Sequence, residues 1–495
     1  MTCAVFFAFS HLPLKVFSQE QQPLETAMVK RDSVEKDLSE SFNSSTSSSI
    51  QVIRGGIEYS NIKDVNYEKI LSKDDILILD LRTVLEMAMD KNLSIDIQEY
   101  TVKAARDRLI GRTGAFLPNV SFIQDIARRE GNIQLFGDQT IEVRQTSYQP
   151  RSDTRFTLFQ GGRVLFGWIS SKNLLKSSKQ DLTQAVQDSL TSVSTTFFEL
   201  QRFQAELETE LRRLEQAELN LKQRKIALDL GDDIKLSVLL AQQEVDQAKS
   251  RIATLKGNYY SQSARLNELL NLPYKTLIVP MAESIESKII RWQEKPTLET
   301  LIGRAISNNP KLQSKQYEVK AARADQIATV ANFLPEAGVQ SVNGFIGPDY
   351  SSLVSNNVYS FYVRYDILSN LGVSPVANYL EAKHNKERNK KEFELLTKQT
   401  EQQVSQNYLN VISGEEVLNS NISALNASEE AYRQALARLK AEVGTPYELK
   451  VAQTDLARAR ADYYQSLVNF KVSQLQLINV LGLSNVNNIV EGVDL

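Results

Sequence analysis

The chain has 495 residues, 24% of them charged, and a net charge of -3. That balance offers no basic field for nucleic acid, and no nucleic-acid partner is expected. Two histidines (His11 and His384) and one cysteine (Cys3) leave almost nothing for a metal site and permit no disulfide within the chain. No cofactor and no catalytic residue is expected, and nothing in the composition favours an enzyme.

Thr2 to Phe9 is a short apolar run, followed by Lys15-Val16-Phe17-Ser18-Gln19. Residues 1–18 read as the back half of a secretory signal, with Val16 and Ser18 at small-residue cleavage positions. The basic n-region is missing, so a truncated or misassigned start is expected. Cys3 has no apolar run before it and reads as an ordinary residue of a removed peptide rather than a lipid-bearing one. Residues 19–78, with a Ser-rich patch from Ser39 to Ser49, read as a flexible extension. No later apolar run reaches the ~18 residues of a membrane helix.

A first module is expected over 79–272. Leu81, Val84, Leu85 and Ala88 recur at helical spacing, and the pattern pauses at Asn92. A second helix carries Tyr100-Thr101-Val102-Lys103-Ala104-Ala105-Arg106 and runs to Phe116-Leu117-Pro118. Proline lacks an N–H and disfavours helix in the residue before it, so Pro118 marks a switch from helix to extended chain. Val120 and Phe122 then alternate with Ser121 and Ile123. A polar stretch with Gly131, Gly137 and Pro150 reads as a loop. It leads to a second strand at Arg155–Gln160 and a turn at Gly161-Gly162. From Val164 to Leu230 there is no proline, which predicts a helix of roughly 100 Å. Its apolar stripe is heptad: Val193, Leu200, Leu207, Leu214, Leu221 and Leu228. Gly231-Asp232-Asp233 breaks this rod, and a returning helix reaches Leu272. Residues 273–296, punctuated by Pro273, Pro280 and Pro296, read as a linker.

The module then repeats over 297–483, with a tail at 484–495. Leu298, Leu301, Ile302 and Ala305 match the first stripe, and Asn309 matches Asn92. Tyr317-Glu318-Val319-Lys320-Ala321-Ala322-Arg323 precedes Phe333-Leu334-Pro335 at the internal spacing of the first copy. After a loop with Gly344, Gly347 and Pro348, the run from Tyr359 to Asp366 alternates. Tyr359, Phe361, Val363 and Tyr365 face one way; Ser360, Tyr362, Arg364 and Asp366 face the other. The second rod carries Val404, Val411, Leu418, Leu425, Tyr432 and Leu439, and reverses at Gly444-Thr445-Pro446. A period near 200 residues exceeds any solenoid repeat, so each copy is a multi-element module.

The alternation suits either a membrane strand with one face to lipid or a soluble hairpin with one buried face. Two strands per copy make four per chain. An open sheet edge cannot face lipid, so membrane insertion requires chains that pool strands: two give eight, three give twelve and a lumen.

The paired Ala-Ala-Arg to Phe-Leu-Pro segments, Gly161-Gly162 after a strand, Gly444-Thr445 at a rod tip and Leu481-Gly482 at the close together resemble the TolC-type outer-membrane efflux proteins. The resemblance covers about 79–485. It implies a mainly α fold with a small β part and an internal tandem duplication. The long antiparallel helical hairpins would form an α-barrel, and four strands per chain would contribute to a twelve-stranded trimeric transmembrane β-barrel. It implies a Gram-negative outer-membrane location and a homotrimer contacting outer-membrane lipid. It also implies a passive exit duct in a tripartite efflux or type I secretion system, fed by an inner-membrane transporter through a periplasmic adaptor. Adaptor contact would fall at Gly231, Asp232, Asp233, Gly444, Thr445 and Pro446. Where the family places aperture carboxylates this chain has Lys450 and Gln453, with Glu448 and Asp455 nearby. A periplasmic adaptor and a soluble coiled-coil scaffold are the alternative readings.

Overall fold

The computed structural model describes residues 76–134, 140–281, 289–292, 295–365, 372–441 and 443–495. The secretion-like start with Cys3 and His11, and the extension up to residue 75, lie outside the described residues.

Each repeat opens with two helices, α1 (Leu81–Lys91) and α2 (Leu93–Gly114) in the first. Leu81, Val84, Leu85 and Ala88 are all buried, as their spacing predicts. Asn92 is where the chain turns: its side chain accepts from the Ser94 N–H (2.8 Å) and donates to the Leu269 carbonyl (2.8 Å). It therefore caps α2 while fastening it to the end of the returning helix. A strand hairpin follows, β2 (Asn119–Gln134) and β3 (Thr140–Gln160). The first rod is α3 (Arg163–Leu230, 68 residues) and its return is α4 (Lys235–Leu269, 35 residues).

The second repeat is α5 (Leu298–Asn308), α6 (Pro310–Val330), β6 (Glu336–Ile346), β7 (Val354–Arg364), α7 (Val373–Lys440, 68 residues) and α8 (Pro446–Val480, 35 residues). Both rods and both returns thus keep their lengths across the duplication. Asn309 repeats the bolt of Asn92, accepting from the Leu312 N–H (3.2 Å) and donating to the Val480 carbonyl (2.9 Å).

The duplication extends into the segments read as extension, linker and tail. A short strand β1 (Ile76–Leu79) pairs in parallel with β4 (Leu277–Pro280). After β5 (Ile290–Arg291) and the second repeat, a short helix α9 (Val486–Val490) leads to β8 (Val493–Asp494), which pairs in parallel with β5. Each module is therefore closed by a strand after its returning helix that pairs with a strand before its first helix.

The hairpins assemble into one four-stranded antiparallel sheet, in the order β2-β3-β6-β7. The polar stretch read as a loop is corrected here. The strands continue, and β2 and β3 pair from Asn119–Arg155 out to Gln134–Thr140. Gly131 and Pro150 lie inside strands, and Gly137 lies outside the described residues. Gly344, also read as loop, belongs to β6, where a Cβ would collide with the Pro150 carbonyl and with Arg151. Pro150, which has no N–H to give, interrupts this pairing: the ladder with β6 ends at Arg151–Gly344 and resumes beyond it as the single bridge Tyr148–Gly347.

The main core joins both copies where rods, returns and short helices meet, around Phe197, Phe198, Leu200, Leu266, Leu301, Val404, Val411, Leu475 and Ile478. Farther along, the first hairpin keeps its own core from Leu207, Ile252 and Leu255 and from Ala217, Leu221, Ala241 and Val245. In the second rod the heptad stripe is buried at Val404, Val411 and Leu418, and only half-buried at Leu425, Tyr432 and Leu439.

Two glycines separate conformation from space. Gly161 (φ 59°) and Gly231 (φ 83°) are both left-handed. A Cβ on Gly161 would come 2.8 Å from Ala331 Cα and 2.9 Å from Leu334 Cβ, whereas one on Gly231 meets nothing. Gly231→Ala is expected to cost about 1–2 kcal/mol, the left-handed penalty alone. Gly161→Ala pushes the repeats apart as well, and is expected to lower the unfolding temperature of the detergent-solubilised protein further, as read by circular dichroism.

Candidate functional site

Among the described residues no helix is long and apolar enough to cross a membrane. The sheet has two unlike faces. The register places Val120 and Phe122 on the same face as Phe156, Val339, Tyr359, Phe361 and Val363. Phe122 is 86% exposed, and Val120, Ile126, Phe159, Tyr359, Phe361 and Val363 are exposed with it. Such a belt is costly in water and suits lipid.

The opposite face is polar and internally paired. Arg151 bonds Asp125 (2.8 Å), and Arg155 bonds Asp153 (3.2 Å). Gln340 donates to both oxygens of Asp153 (2.9 and 3.0 Å), and the Tyr362 hydroxyl donates to Glu336 (3.3 Å). Tyr362 lies across Gly338, where a Cβ would stand 2.6 Å from its hydroxyl. This face can line a water-filled lumen.

Pro118 stands immediately before β2, and Pro335 immediately before β6. Leu334, ahead of Pro335, is already extended (φ -118°, ψ 153°), as the residue before a proline should be. The two prolines stand where each short helix gives way to a strand.

The far ends of the rods hold the predicted tip residues, and the two turns are built differently. The first ends in a left-handed cap: Gly231 N–H bonds the Leu228 carbonyl (3.1 Å) and Asp232 N–H bonds that of Ala227 (2.8 Å). Asp233 then takes the Ile234 N–H (2.8 Å) and an Arg224 guanidinium hydrogen bond (3.1 Å). The second turn uses a capping residue. Thr445 accepts from the Glu448 N–H (3.2 Å), and Pro446 occupies the first helical turn. Gly444 is needed for space, since a Cβ would meet Arg438 and Leu439 at 3.0 Å.

The residues proposed for an aperture lie on the first turns of α8. Glu448 pairs with Arg438 across its own turn (3.7 Å). Lys450 reaches the other hairpin, with its Nζ 3.1 Å from Glu244 on α4. Gln453 is half-buried and Asp455 exposed. Asp455 also lines a small cleft between α7 and α8 with Asn421, Ala424, Arg458, Ala459 and Asp462. Single-sequence reasoning missed Glu244. Laying one repeat on the other finds it: at the rod offset, Glu244 stands opposite Asp455.

Residues 84–272 match the model of the outer membrane efflux protein family. No curated protein matches by sequence. Solved structures match both halves of the fold. The Campylobacter jejuni CmeC outer membrane channel aligns with TM-score 0.72 at 14% identity, covering 82% of this chain and 86% of that one. The Neisseria gonorrhoeae MtrE outer membrane channel, in its open state, gives 0.68 at 17%, covering 82% and 89%. The Vibrio cholerae outer membrane protein VceC gives 0.68 at 14%, covering 81% and 96%. The chain is thus similar to outer-membrane efflux proteins in sequence over its first repeat and in fold over both.

The Asp233 carboxyl is held below its ordinary value of 3.8, first by a hydrogen bond with the Ser237 side chain, then by the Ile234 N–H and by Arg224. A depressed carboxyl contributes its stabilisation fully above the unfolded value and loses it as pH falls through the folded one. Hydrogen-exchange protection of the amides at 234–237 is therefore expected to fall as pH drops below about 4. Asp233→Asn should lower that protection at neutral pH and flatten its pH dependence.

Proposed function

We infer that this outer-membrane efflux channel is the passive exit duct of a tripartite system. An inner-membrane transporter would deliver substrate through a periplasmic adaptor, and the duct would catalyse nothing itself. The observation that carries the reading is the sheet: an apolar belt on one face, a paired polar network on the other, and two rods of 68 residues running from it. At 1.5 Å per residue each rod is about 100 Å long, enough to reach far into the periplasm. Three copies would pool twelve strands into a barrel with a lumen. The tips at Gly231–Asp233 and Gly444–Pro446 are where an adaptor would dock.

The aperture would be set by α8. Lys450 and Gln453 replace an acidic ring, and the Lys450–Glu244 pair ties the second hairpin to the first. Releasing that tie should favour the open state. In planar bilayers, Lys450→Ala and Glu244→Ala are each expected to raise the open fraction. The double variant should add nothing beyond either, because both remove one interaction. No ion conductance from the wild type or from either single variant would sink the duct reading.

A further inference from the structure

The net charge of -3 conceals a division along the chain. Segments 93–114, 163–188, 310–330 and 373–398 are the parts of α2, α3, α6 and α7 that adjoin the sheet. Together they carry 18 Lys and Arg and 11 Asp and Glu. The rest of the rods, 189–230 and 399–440, carry 9 and 12. The four segments stand in file: α2 packs on α3, α3 on α6 and α6 on α7, in the order of the strands they join. A wall one helix thick leaves each helix two free faces.

The positive excess gathers on one of those faces. On α3, Lys172, Lys176 and Lys179 stand at helical spacing, and all three are exposed. Lys176 and, from α6 itself, Lys320 both stand over the Tyr317 ring (5.5 and 4.9 Å to its centre), so α3 and α6 turn their lysines to the same side. Lys172 lies over Trp168 (5.0 Å). An aromatic face holds a lysine in place without neutralising it. The pattern occurs in both repeats. Lys172 and Lys179 recur as Lys383 and Lys390 at the rod offset of 211, and Lys103 and Arg106 recur as Lys320 and Arg323 at the offset of 217. All of these are exposed, and among the described residues only Lys103 has an ion-pair partner, Glu99 at 3.6 Å. Lys172 and Lys179 share the heptad position of Val193 and Leu200, as Lys383 and Lys390 share that of Val404 and Val411. Those four apolar residues are covered by a core that includes Leu81 and Val84 of α1 and Leu301 and Ala305 of α5. On the duct reading the short helices stand outside, since inside they would fill the bore. Nearer the sheet, the same outward stripe continues as uncovered lysine.

We propose that this outward face is a contact for the cell wall, its lysines and arginines binding the free carboxylates on the peptide stems of peptidoglycan. The proposal rests on the duct reading, because a rod that crosses the periplasm passes through that polymer. The chemistry of the face selects the occupant. Every exposed residue from Lys172 to Lys179 and from Lys383 to Lys390 is charged or polar, whereas a stable protein interface is built round an apolar centre. A lipid surface is too far away. At 1.5 Å per residue Lys179 and Lys390 stand about 25 Å below the starts of their rods, about three screening lengths at physiological salt. A polymer strand that passes round the duct instead meets the same cations at each repeat.

The test is co-sedimentation of the detergent-solubilised full chain with protease-treated sacculi. The protein should pellet at low salt and be released as salt is raised. Lys172→Gln, Lys179→Gln, Lys383→Gln and Lys390→Gln together should cut the bound fraction about tenfold, with helical content and oligomeric state unchanged. Lys222→Gln, Lys225→Gln, Lys235→Gln and Lys440→Gln remove the same charge near the tips and should leave binding as it was. Sacculi with amidated carboxylates should bind nothing. Equal loss from the tip variant, or no loss from the face variant, would overturn the proposal. Binding to phosphatidylglycerol vesicles but not to sacculi would overturn it in favour of a lipid surface. A protein that conducts in bilayers yet never pellets overturns the wall contact and leaves the duct intact; one that never conducts overturns the duct and this placement with it.

Discussion

A strand in lipid needs hydrogen-bond partners along both edges, and the sheet of this chain has two edges without them. In water, the outer edges of β2 and β7 could bond solvent; in hydrocarbon each unpaired N–H or C=O costs several kcal/mol. On the channel reading the apolar belt around Phe122, Phe159 and Phe361 faces lipid, and the two edges would then be paired by other chains. Everything else follows the same geometry. The rods leave the sheet beside the strands they follow, β3 leading into α3 and β7 into α7. Duplication without oligomerisation would give half-satisfied strands; oligomerisation of a single module would need twice as many copies for the same lumen.

Much of this was legible because its signals are local and periodic. The stripe at Leu81, Val84, Leu85 and Ala88, the prolines before β2 and β6, and the heptads of the rods each fall within a few turns of chain. The length of the first hairpin was not legible. Beyond Phe122, residues such as Gln124, Asp125, Arg128 and Arg129 alternate no apolar face, because this stretch pairs backbone to backbone without a buried side. The short closing strands were missed for a different reason. Ile290 pairs with Val493 across the whole second repeat, and two residues of strand carry no periodicity to detect. At the candidate site, Lys450 and Gln453 stand where the resemblance led to an expectation of carboxylates. Glu244, which pairs with Lys450, lies on the other hairpin, so only comparison of one repeat with the other points to it.

The two hairpins are equal in length but not in cohesion. The first is sealed far along its length by aliphatic side chains, including Leu207, Leu221, Val245 and Ile252. Below Leu418, the second buries Leu456 and is otherwise held by contacts of another kind: Asn421 donates to the Asp462 carbonyl (3.2 Å), and Arg460 pairs with Glu429 (3.1 Å). Buried apolar area is worth roughly 25 cal/mol per Å² and has no substitute in water. An exposed ion pair is worth about 0–1 kcal/mol, since water can replace either partner. Separating the distal halves of α7 and α8 therefore costs less than separating those of α3 and α4.

On the duct reading, that difference would give the Lys450–Glu244 pair a role. An aperture that moves needs one wall that holds its shape and one that yields. The sealed hairpin of α3 and α4 holds its shape, and Glu244 sits on it. The polar hairpin of α7 and α8 would be the one to yield, and Lys450 sits near the start of α8. Their ion pair joins the two walls near the tips, with half of the Lys450 side chain in solvent. Being partly exposed, it is weak enough to be exchanged for water or for another partner's carboxylate. Because the bridging group is a lysine, an acidic docking surface would compete with Glu244 for it, whereas a basic one would leave the tie in place.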